Sequence, residues 1–101
     1  MRTRTHPGKL LKRELAARKL SANKLALEIR VPANRITAII NCERTVTVET
    51  ALRLGVYFGA GPGLWSTMQL NHDLSIATQK MADELKRIVR ATASGETPET
   101  A

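Results

Sequence analysis

Apolar residues recur along this chain at the three-and-four spacing of a helix, in short runs cut apart by Ser21, Val31-Pro32, Thr47 and the Gly59-Ala60-Gly61-Pro62-Gly63 cluster. That pattern leaves room for little except several short helices packed on a shared core. Leu10, Leu11, Leu15 and, at the margin, Ala16 place a first helix over about Pro7 to Lys19, with the proline suited to its first turn. Ser21 is a good N-cap for a second helix, Ala22 to Ile29, with Leu25, Ala26 and Ile29 inward. The residue before a proline avoids the helical region, so Val31-Pro32 ends it. A third helix, about Pro32 to Asn41, carries Ile36, Ile39 and Ile40 on one side. β-branched residues also suit a strand, but that spacing and the leading proline favour helix.

Cys42 to Val46 reads as a loop, and Thr47 caps a fourth helix with Glu49 in its first turn, where a negative charge suits the dipole. Ala51, Leu52, Leu54, Val56, Tyr57 and Phe58 make that helix apolar on most sides, which predicts the central and most buried element. A fifth helix begins near Pro62 and carries Leu64, Trp65 and Met68. Leu74, Ala77, Met81, Leu85 and Ile88 continue it at steps of 3, 4, 4 and 3, the spacing of a seam against another helix. The expected organisation is one all-α, five-helix domain over residues 6–91, extended by that C-terminal seam. Met1 to Thr5 is expected to be a flexible basic arm, and Thr92 to Ala101 a disordered tail.

The 101 residues carry a net charge of +7, which divides unevenly: Met1 to Arg53 holds +8 and Leu54 to Ala101 holds −1. A localised positive field favours polyanions, nucleic acid before an acidic membrane surface or an acidic protein. The bland reading is a solvated basic surface. Cys42 is the single cysteine, so an internal disulfide or a cysteine-rich zinc site is excluded. No apolar run approaches the ~20 residues that span a bilayer, and the basic N-terminus lacks the apolar stretch of a signal peptide. The expectation is a soluble cytoplasmic protein with no membrane partner.

The second and third helices with their turn, Ser21 to Asn41, have the length of a helix-turn-helix. Small Ala26 sits where the two would cross, and Val31, Ile36 and Ile39 point to the shared core. The remaining face of the third helix shows Ala33, Asn34, Thr37, Ala38 and Asn41, which are short, polar or methyl-bearing and free of acid. Such a face suits a major groove: Asn bonds adenine at two atoms, Thr bonds or packs, and Ala touches a thymine methyl. Arg35 flanks it, within reach of a phosphate or a guanine. Ser21, Asn23, Lys24 and Arg44 lie at helix starts and loops, where phosphate contacts form. Many small helical proteins contain a similar turn, so spacing alone does not single out this function.

His6-Pro7-Gly8 followed by Leu10-Leu11 resembles the start of the HigA/VapI-type antitoxins, a branch of the Cro/repressor-like (XRE) helix-turn-helix proteins. The resemblance continues through Ser21-Ala22-Asn23-Lys24-Leu25-Ala26, Val31-Pro32-Ala33-Asn34-Arg35-Ile36 and Thr50-Ala51-Leu52-Arg53-Leu54. It ends with Tyr57-Phe58-Gly59, Pro62, Leu64-Trp65, Met68-Gln69 and Asp73-Leu74, covering about Arg4 to Ala77. It implies a homodimer that binds a palindromic double-stranded operator through the third helix. It also implies neutralisation of a HigB-type toxin, a ribosome-dependent mRNA interferase, and autorepression of the operon. Carried over by position, the base-reading residues are Ala33, Asn34, Thr37 and Ala38, with Ser21, Asn23, Lys24, Asn41 and Arg44 on the DNA backbone. Two positions depart from the family pattern. Arg30 stands where the family usually has glycine, so either a left-handed turn is strained there, or the turn differs slightly, or the arginine side chain reaches a phosphate. Asn41-Cys42 replaces the usual Asn-Gly and loses an easy C-cap.

The other candidates have plainer readings. His6 and His72 are far apart with no cysteine or acid cluster at ligand spacing, so no metal or cofactor is expected and His6 reads as a helix-start residue. Asp73 beside His72 hints at acid–base chemistry, but sequence neighbours on a helix do not face each other. Cys42 near Arg44 is either incidental or a redox-sensitive thiol. Trp65 is either core, closing on Tyr57 and Phe58, or a partner-binding anchor. The Leu74 to Ile88 seam serves intrachain packing, a dimer or a toxin; dimerisation near the fifth helix, through Leu64, Trp65, Met68 and Leu74, is favoured. Competing functions are a stand-alone prophage-type repressor without a toxin, and an adaptor whose basic face meets an acidic protein. No nucleophile–base pair or phosphate loop suggests an enzyme.

Overall fold

The computed structural model describes Thr3 to Ala91; Met1 and Arg2 of the expected arm and the expected tail from Thr92 to Ala101 lie outside the described residues. Six helices follow in order: α1 Pro7–Ala17, α2 Ala22–Ile29, α3 Ala33–Ile40, α4 Val48–Phe58, α5 Pro62–Lys80 and α6 Ala82–Lys86. The core is built from the positions that repeat at helical spacing. Leu11 and Leu15 of α1, Leu25, Ala26 and Ile29 of α2, Ile36 and Ile39 of α3, Ala51 and Leu54 of α4 and Trp65 of α5 are all buried, with Val46 from the loop before α4. Burying each large side chain is worth about 1.5–3 kcal/mol. That outweighs the weak helix propensity of the isoleucines, so α3 is a helix. Caps set the boundaries: Ser21 Oγ accepts the Lys24 N–H at 3.0 Å, and Thr47 Oγ1 accepts the Thr50 N–H at 3.3 Å.

Four expectations are corrected. The seam does not continue one helix: α5 stops at Lys80, and α6 restarts after Met81 (φ −101°, ψ 10°). α4 is not buried on most of its sides. Thr50, Ala51, Leu54 and Gly55 face inward, but Val48 and Val56 are 71% and 84% exposed, because α5 and α2 cover α4 on one side only. Trp65 is 1% exposed with its ring 5.8 Å from that of Phe58, so it belongs to the protomer's own core and offers nothing to a dimer partner. The near end of the arm is held rather than free. The Arg4 N–H donates to Ser75 Oγ at 2.9 Å, His72 Nδ1 meets the Arg4 carbonyl at 2.7 Å, and Gln79 Nε2 donates to Thr3 Oγ1 at 2.8 Å. Ala16, marginal in the sequence, is exposed.

Candidate nucleic-acid interface

α2 and α3 pack closely through Ala26, which is 2% exposed. The turn between them begins at Arg30, at φ 63° and ψ 48°, the left-handed conformation that glycine enters freely. Its N–H and that of Val31 both turn back to the Ala26 carbonyl. Pro32 then opens α3 from extended backbone without a side-chain cap. α3 ends through the N–H groups of Asn41, Cys42 and Glu43 on Thr37, Ile39 and Ala38, with Cys42 at φ 61°. Both positions where the resemblance leads one to expect glycine are therefore left-handed with side chains present, each at a cost of roughly 1–2 kcal/mol.

This geometry turns Ala33, Asn34, Thr37 and Asn41 to solvent on one helix, with Ala38 and Arg35 half-exposed beside them. The Thr37 hydroxyl donates to the Ala33 carbonyl at 3.2 Å, which leaves its oxygen free to accept. Ser21, Asn23, Lys24, Arg30 and Arg44 are all exposed. The Ser21 hydroxyl caps α2, and Lys24 pairs with Glu28 at 3.0 Å. That hydrogen bond and the charge of Glu28 raise the Lys24 ammonium above its ordinary pKa. An exposed pair of this kind is weak and gives way readily to a phosphate.

Several contacts that hold this face in place are not visible in the sequence, although His6 caps α1 as its helix-start reading expects. A Cβ on Gly8 would overlap the carbonyl oxygen of Ile39, so α1's first turn abuts the end of α3. His6 Nδ1 accepts the Gly8 N–H at 2.9 Å, and its ring lies edge-on to His72 at 4.9 Å between centroids. Burial, and secondarily the neighbouring His72, lower the His6 pKa, against smaller opposing effects of the Arg44 backbone and Asp73. Gln69 is buried; its Oε1 accepts the Val46 N–H at 2.8 Å and its Nε2 donates to Asp73 at 2.9 Å, so α5 holds the chain that leaves α3. Arg53 reaches from α4 to the end of α2. Gly8 with Ile39, His6 with His72, Gln69 with Val46 and Arg53 with Ile29 are joined across long sequence separations, and nothing in their spacing marks the pairs. Asp73 thus bonds Gln69, the exposed thiol is Cys42, and no group of metal ligands forms among the described residues.

Of the four residues expected at a dimer interface, Leu64 and Leu74 are exposed and Met68 half-exposed, while Trp65 is internal. Met81, Leu85 and Ile88 are exposed as well, so nothing among the described residues covers the seam. No helix of the described residues is long and apolar enough to cross a membrane.

No family profile matches the chain. Virulence-associated protein I of Dichelobacter nodosus is 43% identical over 75 residues, which span 73% of this chain and 69% of that protein. An addiction module antidote protein of a HigA family from Coxiella burnetii has a TM-score of 0.82 at 40% identity, covering 91% of this chain and 100% of that one. Antitoxin GraA in complex with its operator has a TM-score of 0.83 at 30% identity, covering 92% of this chain and 95% of that one.

Proposed function

This chain belongs to the HigA/VapI-type antitoxins of the Cro/repressor-like helix-turn-helix class, and from that we propose that it binds operator DNA as a homodimer, represses its own operon and neutralises a HigB-type mRNA interferase. The observation that carries the reading is the solvent face of α3. It is free of acidic side chains and bears Asn34 and Thr37, and the flanking helix and loops expose Lys24, Arg30 and Arg44. A relative solved on its operator supports it, and such relatives are antitoxins rather than enzymes.

The division of labour follows from chemistry. Ala33, Asn34, Thr37 and Ala38 read base edges; Ser21, Asn23, Lys24, Arg30, Arg35, Asn41 and Arg44 hold the phosphates. The apolar stripe of α5 and α6, from Leu64 and Met68 through Leu74, joins two copies on a palindrome. Asn34→Ala is expected to relax base preference at one position by about 1–3 kcal/mol. Arg44→Ala is expected to weaken all duplexes alike and reduce the salt slope by about two, one phosphate contact for each protomer. Anisotropy titrations on operator and scrambled duplexes read both effects. Unchanged operator preference in Asn34→Ala would remove α3 as the reading helix. Co-purification with the product of the adjacent gene tests the toxin partner.

A further inference from the structure

At the end of α2 the backbone takes a conformation that its residues do not prefer. Arg30 is left-handed, and its N–H and that of Val31 fold back on Ala26. Pro32 gives α3 no side-chain cap, so locally only backbone bonds, Val31 N–H to Ala26 and Arg35 N–H to Pro32, hold the start of the reading helix. The carbonyl of Ile29, immediately before the strained residue, belongs to the last turn of α2, where carbonyls lack helical partners. It accepts a hydrogen bond from Arg53 Nη1 of α4 at 2.8 Å. The same guanidinium is held from the other side by Glu49 Oε1, at 3.3 Å to Nε and 3.2 Å to Nη2. A charge-assisted donor is fixed at both ends, across 24 residues of sequence, on the peptide that enters the left-handed turn.

We propose that Arg53 is a positioning residue for DNA reading. It clamps the α2–α3 turn in the left-handed geometry that Arg30 disfavours, and so sets the angle at which α3 meets the groove. Arg53 touches no base in this scheme; it acts through Ile29 and Arg30. The proposal rests on the DNA-binding reading above, and its test separates the two.

Full-length Arg53→Met, Arg30→Gly and the double variant are compared by anisotropy on operator and random duplexes across a salt series, and by thermal melting. Arg53→Met keeps the length of the side chain and removes the donor. It is expected to lower operator affinity about tenfold, with random-duplex affinity and salt slope essentially unchanged. In the Arg30→Gly background, where the left-handed turn is unstrained, the same substitution is expected to cost no more than about threefold. Equal losses in both backgrounds would overturn the clamp. So would a fall on both duplexes with the slope reduced by about two, one contact for each protomer, which would make Arg53 a phosphate contact. If the wild type shows no operator preference, the DNA-reading assignment fails instead, and melting still decides the clamp: shifts that add across residues 30 and 53 refute it, and non-additive shifts sustain it.

Discussion

Gly8 leaves no space for a side chain, because a Cβ there overlaps the Ile39 carbonyl oxygen at the end of α3. Neither side of that contact is a flexible side chain, so Gly8→Ala must move α1 or the end of α3. We expect a loss of about 1–3 kcal/mol in denaturant unfolding, accompanied by weaker operator binding; an unchanged midpoint would contradict the close approach. His6 supplies the cap of the same turn through an unprotonated Nδ1, and its pKa lies below 6.5 in the folded chain, mainly through burial. The unfolded chain therefore binds that proton more readily. The stability due to neutral His6 is complete above about pH 6.5 and falls as pH drops through the lower folded value. His72, Asp73 and the Arg44 backbone also face the ring. Denaturant midpoints measured from pH 7.5 down to 5 should decline, and His6→Asn, which can still cap through its side-chain oxygen, should flatten that decline. A wild-type midpoint that holds constant over the range would refute it. The motif His6-Pro7-Gly8 is legible as a helix start, but its partners, Ile39 and His72, are brought close only by the fold.

At the scale of elements, α2 and α3 are readable from sequence to within a residue or two. Their boundaries rest on local chemistry: a serine cap, a residue before proline, and isoleucines spaced for one buried side. The left-handed turns at Arg30 and Cys42 are also foreseeable, since each occupies a place where glycine is usual in the family that the chain resembles. α4 misleads because apolar content records what a helix offers, not what arrives to cover it. Val48, Leu52, Val56 and Tyr57 remain on the surface, and beside them a groove of about 330 Å3 opens between α2 and α4. The break at Met81 is hidden for a related reason. The apolar steps run through it unchanged, and no glycine or proline marks it. Arg53, Gln69 and Gly8 stay invisible as site-building residues because each acts on a backbone group, and backbone groups have no sequence signature.

In the whole molecule, the excess charge and the apolar stripe of α5 and α6 lie in different halves of the chain. The excess of +8 lies before Leu54, around the helix-turn-helix, and the remainder holds −1. That near-neutral remainder carries Leu64, Leu70, Leu74, Met81, Leu85 and Ile88, all exposed. A stripe of this kind on a lone protomer is unfavourable in water, and pairing two copies along it would bury both stripes on one axis. Two reading helices would then stand about 34 Å apart, one turn of DNA. Leu74 is 54% exposed, so replacing it should spare the fold while disrupting the pairing. Leu74→Glu is expected to melt close to the wild type, sediment as a monomer at micromolar concentration, and lose about 100-fold or more in operator affinity as bivalency disappears. Its salt slope should fall to roughly half, since each monomer covers one half-site's phosphates. A variant that remains dimeric with the full slope would take the interface off this stripe, and the apolar groove between α2 and α4 would become the surface to alter next.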